Sequence, residues 1–253
     1  MAQGTGEENS LTKAVAPHPP LTDYYEAPAK REQYVRDIFD ETAPWYDWAT
    51  RFLSFGSGDW YRREALKRVG LAPGMKLLDL ATGTGVVARA AAEVTGDAAA
   101  VVGMDASFGM LHSGRTSSAK VQSPAERLAL RDASVDRISI GFALRHFADL
   151  AVVFAECHRV LKPGGKLLIM EITAPESRMA RAFLGIYMGR FAPFVIGLKT
   201  SSPRAAELFR YYWETTRDCV RPAVITDALR AAGFSDVDRR REAGIFSEYS
   251  GRK

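Results

Sequence analysis

The sequence predicts an α/β fold: a mostly parallel sheet with helices on both faces. Three observations predict it. Short apolar runs alternate with amphipathic stretches from residue 75 to residue 172, the pattern of parallel strands joined by crossover helices. A turn in "LLDLATGTGVVARA" joins the first run to the first of these helices, with Gly83, Gly85 and Ala88 in G-x-G-x-x-A spacing. An acid, Asp105, closes the next run 20 residues after Gly85, the spacing of a nucleotide-binding βαβ unit.

Taken in order, residues 1–30 open with "MAQGTGEENSLTKAVAPHPP", which is small, polar and rich in Pro and Gly. They are expected to form a disordered tail, without the apolar centre of a signal peptide. "REQYVRDIFDETAPWYDWATRFLSF" reads as a helix, a break at Pro44 and a second helix, with Tyr34, Ile38, Phe52 and Phe55 at helical spacing. "WYRREALKRVG" is a further helix closed by Gly70. Strands are expected over 75–81, at "AAVVGMD", at "VDRISIGF" and at "KLLIMEI", because short apolar runs bounded by turn residues suit buried parallel strands. Helices are expected over about 85–95, over 107–117 and at "DLAVVFAECHRVL", the last stopped by "KPGG". A helical insertion over 177–218 precedes the helix "PAVITDALRAAGF" and two closing strands, "SDVDRRRE" and "GIFSEYSGRK".

The 253 residues suit a single domain over 31–253. Two cysteines make no disulfide framework, and no Cys/His cluster has metal-ligand spacing, so no metal is expected and an intracellular setting is favoured. Apart from Arg239–Arg241 the basic residues are scattered and the net charge is only +4, which gives nucleic acid no footprint. No uninterrupted apolar stretch is long enough to span a bilayer.

The glycine turn and Asp105 together suit an adenosine-bearing ligand, with the acid on the ribose hydroxyls. That description fits NAD, FAD and S-adenosylmethionine alike. Asp79, four residues before Gly83, separates them. A dinucleotide sets a pyrophosphate at the helix N-terminus, and a strand-end carboxylate beside it is repulsive. S-Adenosylmethionine brings an ammonium, which a carboxylate holds through a charge-assisted hydrogen bond. A loop-capping role for Asp79 is the alternative.

The chain resembles the class I S-adenosylmethionine-dependent methyltransferases, and within them the C-methyltransferases of ubiquinone and menaquinone biosynthesis. The carrying segments are "VRDIFDETAPWYDW", "LSFG", "LLDLATGTG", "GMDAS", "GFALRHFAD", "HRVLKPGGKLLIMEI" and "FRYYWETTR", within residues 34 to 250. The resemblance implies a Rossmann-like, seven-stranded sheet with residues 31–70 as lid helices, and S-adenosyl-L-methionine as cofactor. It assigns the donor site to Asp79, Ala81, Gly83, Thr84, Gly85, Asp105, Ala106, Ser107, Ala125, Glu126 and Gly141. Four departures from the family pattern fall partly on the substrate side. Thr82 replaces a glycine in the loop, His146 replaces the Asn of an Arg-Asn pair, and "SPAE" at 123–126 replaces G-D-A-E. Gly58-Asp59 replaces a basic His-Arg pair after "LSFG".

A ring carbon becomes nucleophilic once a neighbouring hydroxyl ionises, and a nearby cation favours that ionisation. By the resemblance, Arg145 is the candidate cation. His146 is a candidate base, although a structural place for it is an equal alternative. Tyr46 is a candidate hydrogen-bond partner of substrate or donor, against a purely packed aromatic lid. Either Tyr211 or Tyr212 is a candidate to line the acceptor pocket, with core packing expected for one of them.

Residues 177–200 mix long apolar side chains with Arg178, Arg181, Arg190 and Lys199. A greasy, basic helix pair of this kind suits a lipid-tail tunnel, peripheral membrane contact, a homodimer interface or an ordinary lid. The expected function is methyl transfer to a small, apolar aromatic acceptor, quinol-type or prenylated, with C-methylation favoured. Location would then be cytoplasmic, with a peripheral place on the inner membrane face as the alternative. Two alternatives stay open: methylation of another phenolic or secondary metabolite, and a non-catalytic S-adenosylmethionine-binding partner in a biosynthetic complex.

Overall fold

The computed structural model describes residues 14–54 and 56–253; residues 1–13 of the expected tail, and Phe55, lie outside them. A seven-stranded sheet in the order β3-β2-β1-β4-β5-β7-β6 forms the centre. Its strands are β1 (Leu77–Leu80), β2 (Val101–Asp105), β3 (Ala119–Gln122), β4 (Val135–Gly141), β5 (Leu161–Ile172), β6 (Ser235–Glu242) and β7 (Phe246–Arg252). The first five are parallel, and β7 runs antiparallel to both β5 and β6. Every residue of β1 is buried, as its unbroken apolar character requires of a strand covered on both faces.

Around the sheet lie α1 (Arg31–Leu53), α2 (Gly58–Arg68), α3 (Val86–Thr95), α4 (Phe108–Ser113), α5 (Leu150–Val160) and α9 (Pro222–Ala231). The insertion supplies α6 (Arg178–Ile186), α7 (Ala192–Thr200) and α8 (Pro203–Arg217). One core cluster joins β4, β5, α5 and α9 through Ile138, Ile140, Val153, Phe154, Ile169 and Leu229. Another packs α2 and the alanine face of α3 (Ala88, Ala91) on the opposite side. A third holds α1, α7 and α8 together through Ile38, Ile196, Leu208 and Tyr211. It anchors the insertion over the carboxyl ends of the strands.

Several expectations are corrected. Residues 14–27 are not a free tail. The Val15 N–H donates to Asp149 at 3.0 Å, Leu150 donates to the Val15 carbonyl at 2.9 Å and Val220 to the Pro17 carbonyl at 2.8 Å. His18 and Tyr25 are buried, so this strap meets its backbone hydrogen-bonding needs on the body of the fold. Pro44 does not break α1: the ring forfeits one hydrogen bond, and the burial of Ile38, Thr42, Ala43 and Ala49 along the same helix offsets it. The helix expected over 107–117 is shorter. It stops at Gly114, where a Cβ would come within 2.8 Å of the Thr84 carbonyl oxygen. The sheet's first edge, β3, has no sequence signal. It is four residues long and mostly exposed, with Lys120 in its middle, a blunted edge of the kind that discourages strand addition.

The expected helix pair over 177–200 is one helical run. A π-helical turn, Tyr187–Phe191, joins α6 to α7. Among the described residues this run is the one helix long and apolar enough to cross a membrane by length and composition alone. Leu184, Met188, Ala192 and Ile196 nevertheless give it an inward, buried face.

Candidate active site

A cleft opens at the carboxyl ends of β1, β2 and β4, where the strand order reverses and sheets of this kind bind ligands. The chain leaves β1 through Ala81 at φ 54° and Gly83 at φ 56°, and enters α3 through Gly85 at φ 80°. Phe142, just after β4, also has a positive φ of 61°. Left-handed backbone at alanine and phenylalanine is strained, and such strain clusters at functional sites. Both residues line the cleft. Glycine is needed at 83 for its conformation and for access: a Cβ there would meet only Met110 Cε, at 3.8 Å, and would stand in the cleft.

The donor side is closely tied together. Asp105 accepts from the Gly83 N–H at 2.7 Å and from the Ser107 N–H at 2.8 Å. Burial, with Asp40 nearby, still pushes its carboxyl up to about 6. Asp40, on α1, accepts from the Ser107 hydroxyl at 2.5 Å and from the Gly109 N–H at 2.8 Å, so α1 is pinned to the start of α4. Ala81, Gly83, Asp105, Ala106, Ser107, Ala125, Glu126 and Gly141 all line the cleft, as the sequence assigns them.

Asp79, Thr84 and Gly85 do not. Asp79 is buried beneath the loop, where it accepts from Thr82 Oγ1 at 2.6 Å and Ser139 Oγ at 2.8 Å. Its burial pushes the carboxyl up to about 6. Asp79 therefore holds the loop from below, with one oxygen engaged by Thr82 and the other by Ser139. Thr82, which departs from the family's glycine, supplies one of those bonds. Thr84 donates to Asp47, and a Cβ on Gly85 would come within 2.9 Å of Thr116, so both serve packing behind the loop.

The acceptor side is aromatic. Phe39, Tyr46, His146 and Tyr212 line it. The His146 ring lies 5.4 Å from Tyr212 at 28° and 5.6 Å from Tyr211 at 25°, with Phe39 edge-on at 5.2 Å. Neither ring nitrogen has a hydrogen-bond partner among the described residues. Burial, then the positive charges of Arg145 and Arg31, hold the imidazole well below its usual pKa, so it is neutral. The Tyr46 and Tyr212 hydroxyls share a hydrogen bond of 2.8 Å, and burial raises both phenols. Tyr211 is core, as one of the two tyrosines was expected to be.

Arg145 does not line the cleft. It is buried, ion-paired with Glu171, and its guanidinium stacks 4.7 Å from the centre of the Tyr212 ring. Arg145 and His146 sit on a single 3-10 turn, Leu144–His146, which sends one side chain behind the wall and the other into it. Arg31 donates to the Arg145 carbonyl at 3.0 Å and lies 3.0 Å from His18 Nε2. Two guanidinium groups thus lie behind the wall, Arg145 paired with Glu171 and Arg31 without a carboxylate partner among the described residues, and both act on His146 as positive charges. Sequence reasoning missed Phe39 and the α1 face bearing Glu32, Val35 and Arg36. The i, i+4 apolar pair Val35/Phe39 was its available signal. The Gly58-Asp59 departure lies away from the acceptor, in a separate small cavity with Arg51, Arg62 and Arg89.

The mostly parallel sheet, the left-handed turn through Ala81, Gly83 and Gly85, and a carboxylate on the neighbouring strand end define a class I S-adenosylmethionine-dependent methyltransferase. Solved structures share the fold. One is a Thermotoga maritima SAM-dependent methyltransferase (20% identity, 86% of this chain, 99% of that chain, TM-score 0.59). Another is Haemonchus contortus phosphoethanolamine N-methyltransferase 2 in complex with S-adenosyl-L-methionine (18% identity, 86% of this chain, 59% of that chain, TM-score 0.61). The chain belongs to the ubiE/COQ5 methyltransferase family, which it matches over residues 28–253. It is 32% identical to the ubiquinone/menaquinone biosynthesis C-methyltransferase UbiE of Geobacter sulfurreducens, over 88% of this chain and 90% of that protein. It is 34% identical to a demethylmenaquinone methyltransferase of a Mycobacterium species, over 85% of this chain and 91% of that one. S-Adenosyl-L-methionine is the methyl donor, and the open cradle at Gly83 beside the Asp105 carboxylate fits it.

Proposed function

We propose that the protein methylates a ring carbon of an apolar, quinol-type aromatic acceptor. The observation that carries this reading is the half-buried, neutral His146 imidazole, whose two ring nitrogens are buried and unpartnered among the described residues in an otherwise aromatic wall. Buried polar nitrogens need partners, and a hydroxylated flat ring supplies one while stacking on the rest. The names of the 32–34% identical relatives support the same class of acceptor.

The bound donor supplies an electrophilic methyl group on a sulfonium. Asp105 would accept from its ribose hydroxyls, Pro124, Ala125 and Glu126 would flank its adenine, and Gly83 would leave room for its chain. On the other side His146 donates a ring N–H to the acceptor's phenolate oxygen, with the phenolic proton and, after transfer, the ring C–H proton leaving to solvent. Burial keeps the imidazole neutral, and the positive charges of Arg145 and Arg31 that reinforce this also favour the ionised acceptor. Tyr46 and Tyr212 hold the ring in line, so that much of the rate comes from orientation. An acceptor of this kind dissolves in lipid, and a working position at the cytoplasmic face of a membrane, reached through residues 177–200, suits its supply.

The test compares turnover of a demethylmenaquinol analogue with that of a hydrophilic catechol. Preference for the quinol, lost in His146→Ala with donor Kd unchanged, supports the assignment. Equal or greater turnover of the catechol would place the enzyme among methyltransferases of other phenols.

A further inference from the structure

Along the helical run from Arg178 to Thr200, six large apolar side chains stand in solvent: Met179, Phe183, Ile186, Phe191, Phe194 and Leu198, each 51–84% exposed. Their spacing carries the argument. The first three are four and three residues apart, and the last three are three and four apart. Either triad alone makes one side of an α-helix. Five residues separate Ile186 from Phe191, and in an uninterrupted α-helix that step turns the second triad about 140° away from the first. The π-helical turn Tyr187–Phe191 falls in this interval. It takes up the extra residue in one wide turn and brings both triads onto a single stripe about 29 Å long.

The turn is held from inside. Gly185 and Gly189 form a notch for the Trp213 indole, where a Cβ on either would come within 2.9 Å and 2.8 Å of the ring. Trp213 follows Tyr212, which lines the acceptor side of the cleft. The stripe and the acceptor wall are therefore fixed by neighbouring residues of α8.

Charge decides what covers the stripe. Residues 177–200 contain Arg178, Arg181, Arg190 and Lys199 and no Asp or Glu. Arg178, Arg190 and Lys199 are exposed and make no ion pair among the described residues. A second copy packed antiparallel on this helix would set the Arg178 end against a Lys199 end, cation on cation. An anionic bilayer complements both features, with apolar side chains among the acyl chains and cations among the headgroups.

We propose that this stripe, aligned by the π-helical turn, docks the enzyme on an anionic lipid surface and holds the cleft beside a membrane-dissolved acceptor. The docking itself rests on the stripe; the supply of acceptor rests on the quinol reading above.

The test is co-sedimentation of the full chain with phosphatidylcholine vesicles and with phosphatidylcholine/phosphatidylglycerol vesicles. The wild type is expected to bind the anionic vesicles and to be released by salt. Phe183→Ser/Phe194→Ser/Leu198→Ser should weaken that binding by about a hundredfold or more, while turnover of a tailless, water-soluble quinol without vesicles stays unchanged. Arg178→Gln/Arg190→Gln/Lys199→Gln should abolish the preference for anionic lipid. Equal binding by the triple serine variant would overturn the proposal. So would a wild-type dimer, in velocity sedimentation, that the same variant converts to monomer. Vesicle binding without turnover of any quinol would leave the docking standing and refute the acceptor.

Discussion

The Gly83 N–H donates to the Asp105 carboxylate at 2.7 Å, which makes the turn after β1 and the acid ending β2 one unit. A change at Asp105 therefore removes a ribose acceptor and frees the loop together. Asp105→Ala is expected to weaken donor binding by about 1.5–3 kcal/mol, roughly ten- to a hundredfold in Kd. Isothermal calorimetry checks this, and an unchanged Kd would remove Asp105 from the donor site.

Asp79 predicts a pH effect on stability. Burial pushes its folded carboxyl up to about 6, above the ordinary value near ~3.9 of the unfolded chain. A raised folded pKa means the protonated form is the one favoured by folding. The contribution is complete at low pH and is lost as pH rises through about 6. Relative to Asp79→Asn, the donor-free wild type should lose thermal stability between pH 4 and pH 7. A constant difference in Tm across that window would show that Asp79 is not destabilised by its burial.

His146 predicts a kinetic split. His146→Ala should lower kcat by about a hundredfold, the scale of one lost donor to a developing or bound oxyanion, and leave donor Kd unchanged. Because its imidazole is held well below the usual range by burial and by Arg145, the wild-type kcat profile should show no histidine inflection between pH 6 and pH 8. An inflection there that disappears in the variant would assign His146 a base's role.

Arg145 and Glu171 predict a stability effect. Arg145→Ala strands a buried carboxylate and is expected to cost about 3–5 kcal/mol. Arg145→Met combined with Glu171→Leu removes both charges and should recover most of that loss. Urea unfolding of the two variants checks the pair. Equal loss in both would mean that packing on Tyr212, and not the charge, is what matters.

Much of this was legible in the sequence for a physical reason: strands buried on both faces leave apolar runs, and a strained turn demands glycine. Leu77–Leu80, Gly83 and Asp105 announce themselves in that way. Direction was harder to read. Arg145 and His146 are adjacent, and only the 3-10 turn beneath them decides that the histidine faces the cleft. Asp79 carries the right charge at the right strand end, but Thr82 and Ser139 take its oxygens below the loop. The strap over residues 14–27 looked disordered because its composition is polar, whereas partners on Asp149, Leu150 and Val220 come from distant sequence. The π-helical turn has no compositional mark. Its trace is the five-residue step from Ile186 to Phe191 in an otherwise three-and-four pattern.

The most direct test of the central claim follows the fate of a labelled methyl group. The enzyme is incubated with S-adenosylmethionine carrying a carbon-13 methyl and a demethylmenaquinol analogue, and the product is read by NMR. The account predicts the label on a ring carbon. Label on oxygen, or no labelled product while calorimetry shows the donor bound, would contradict it.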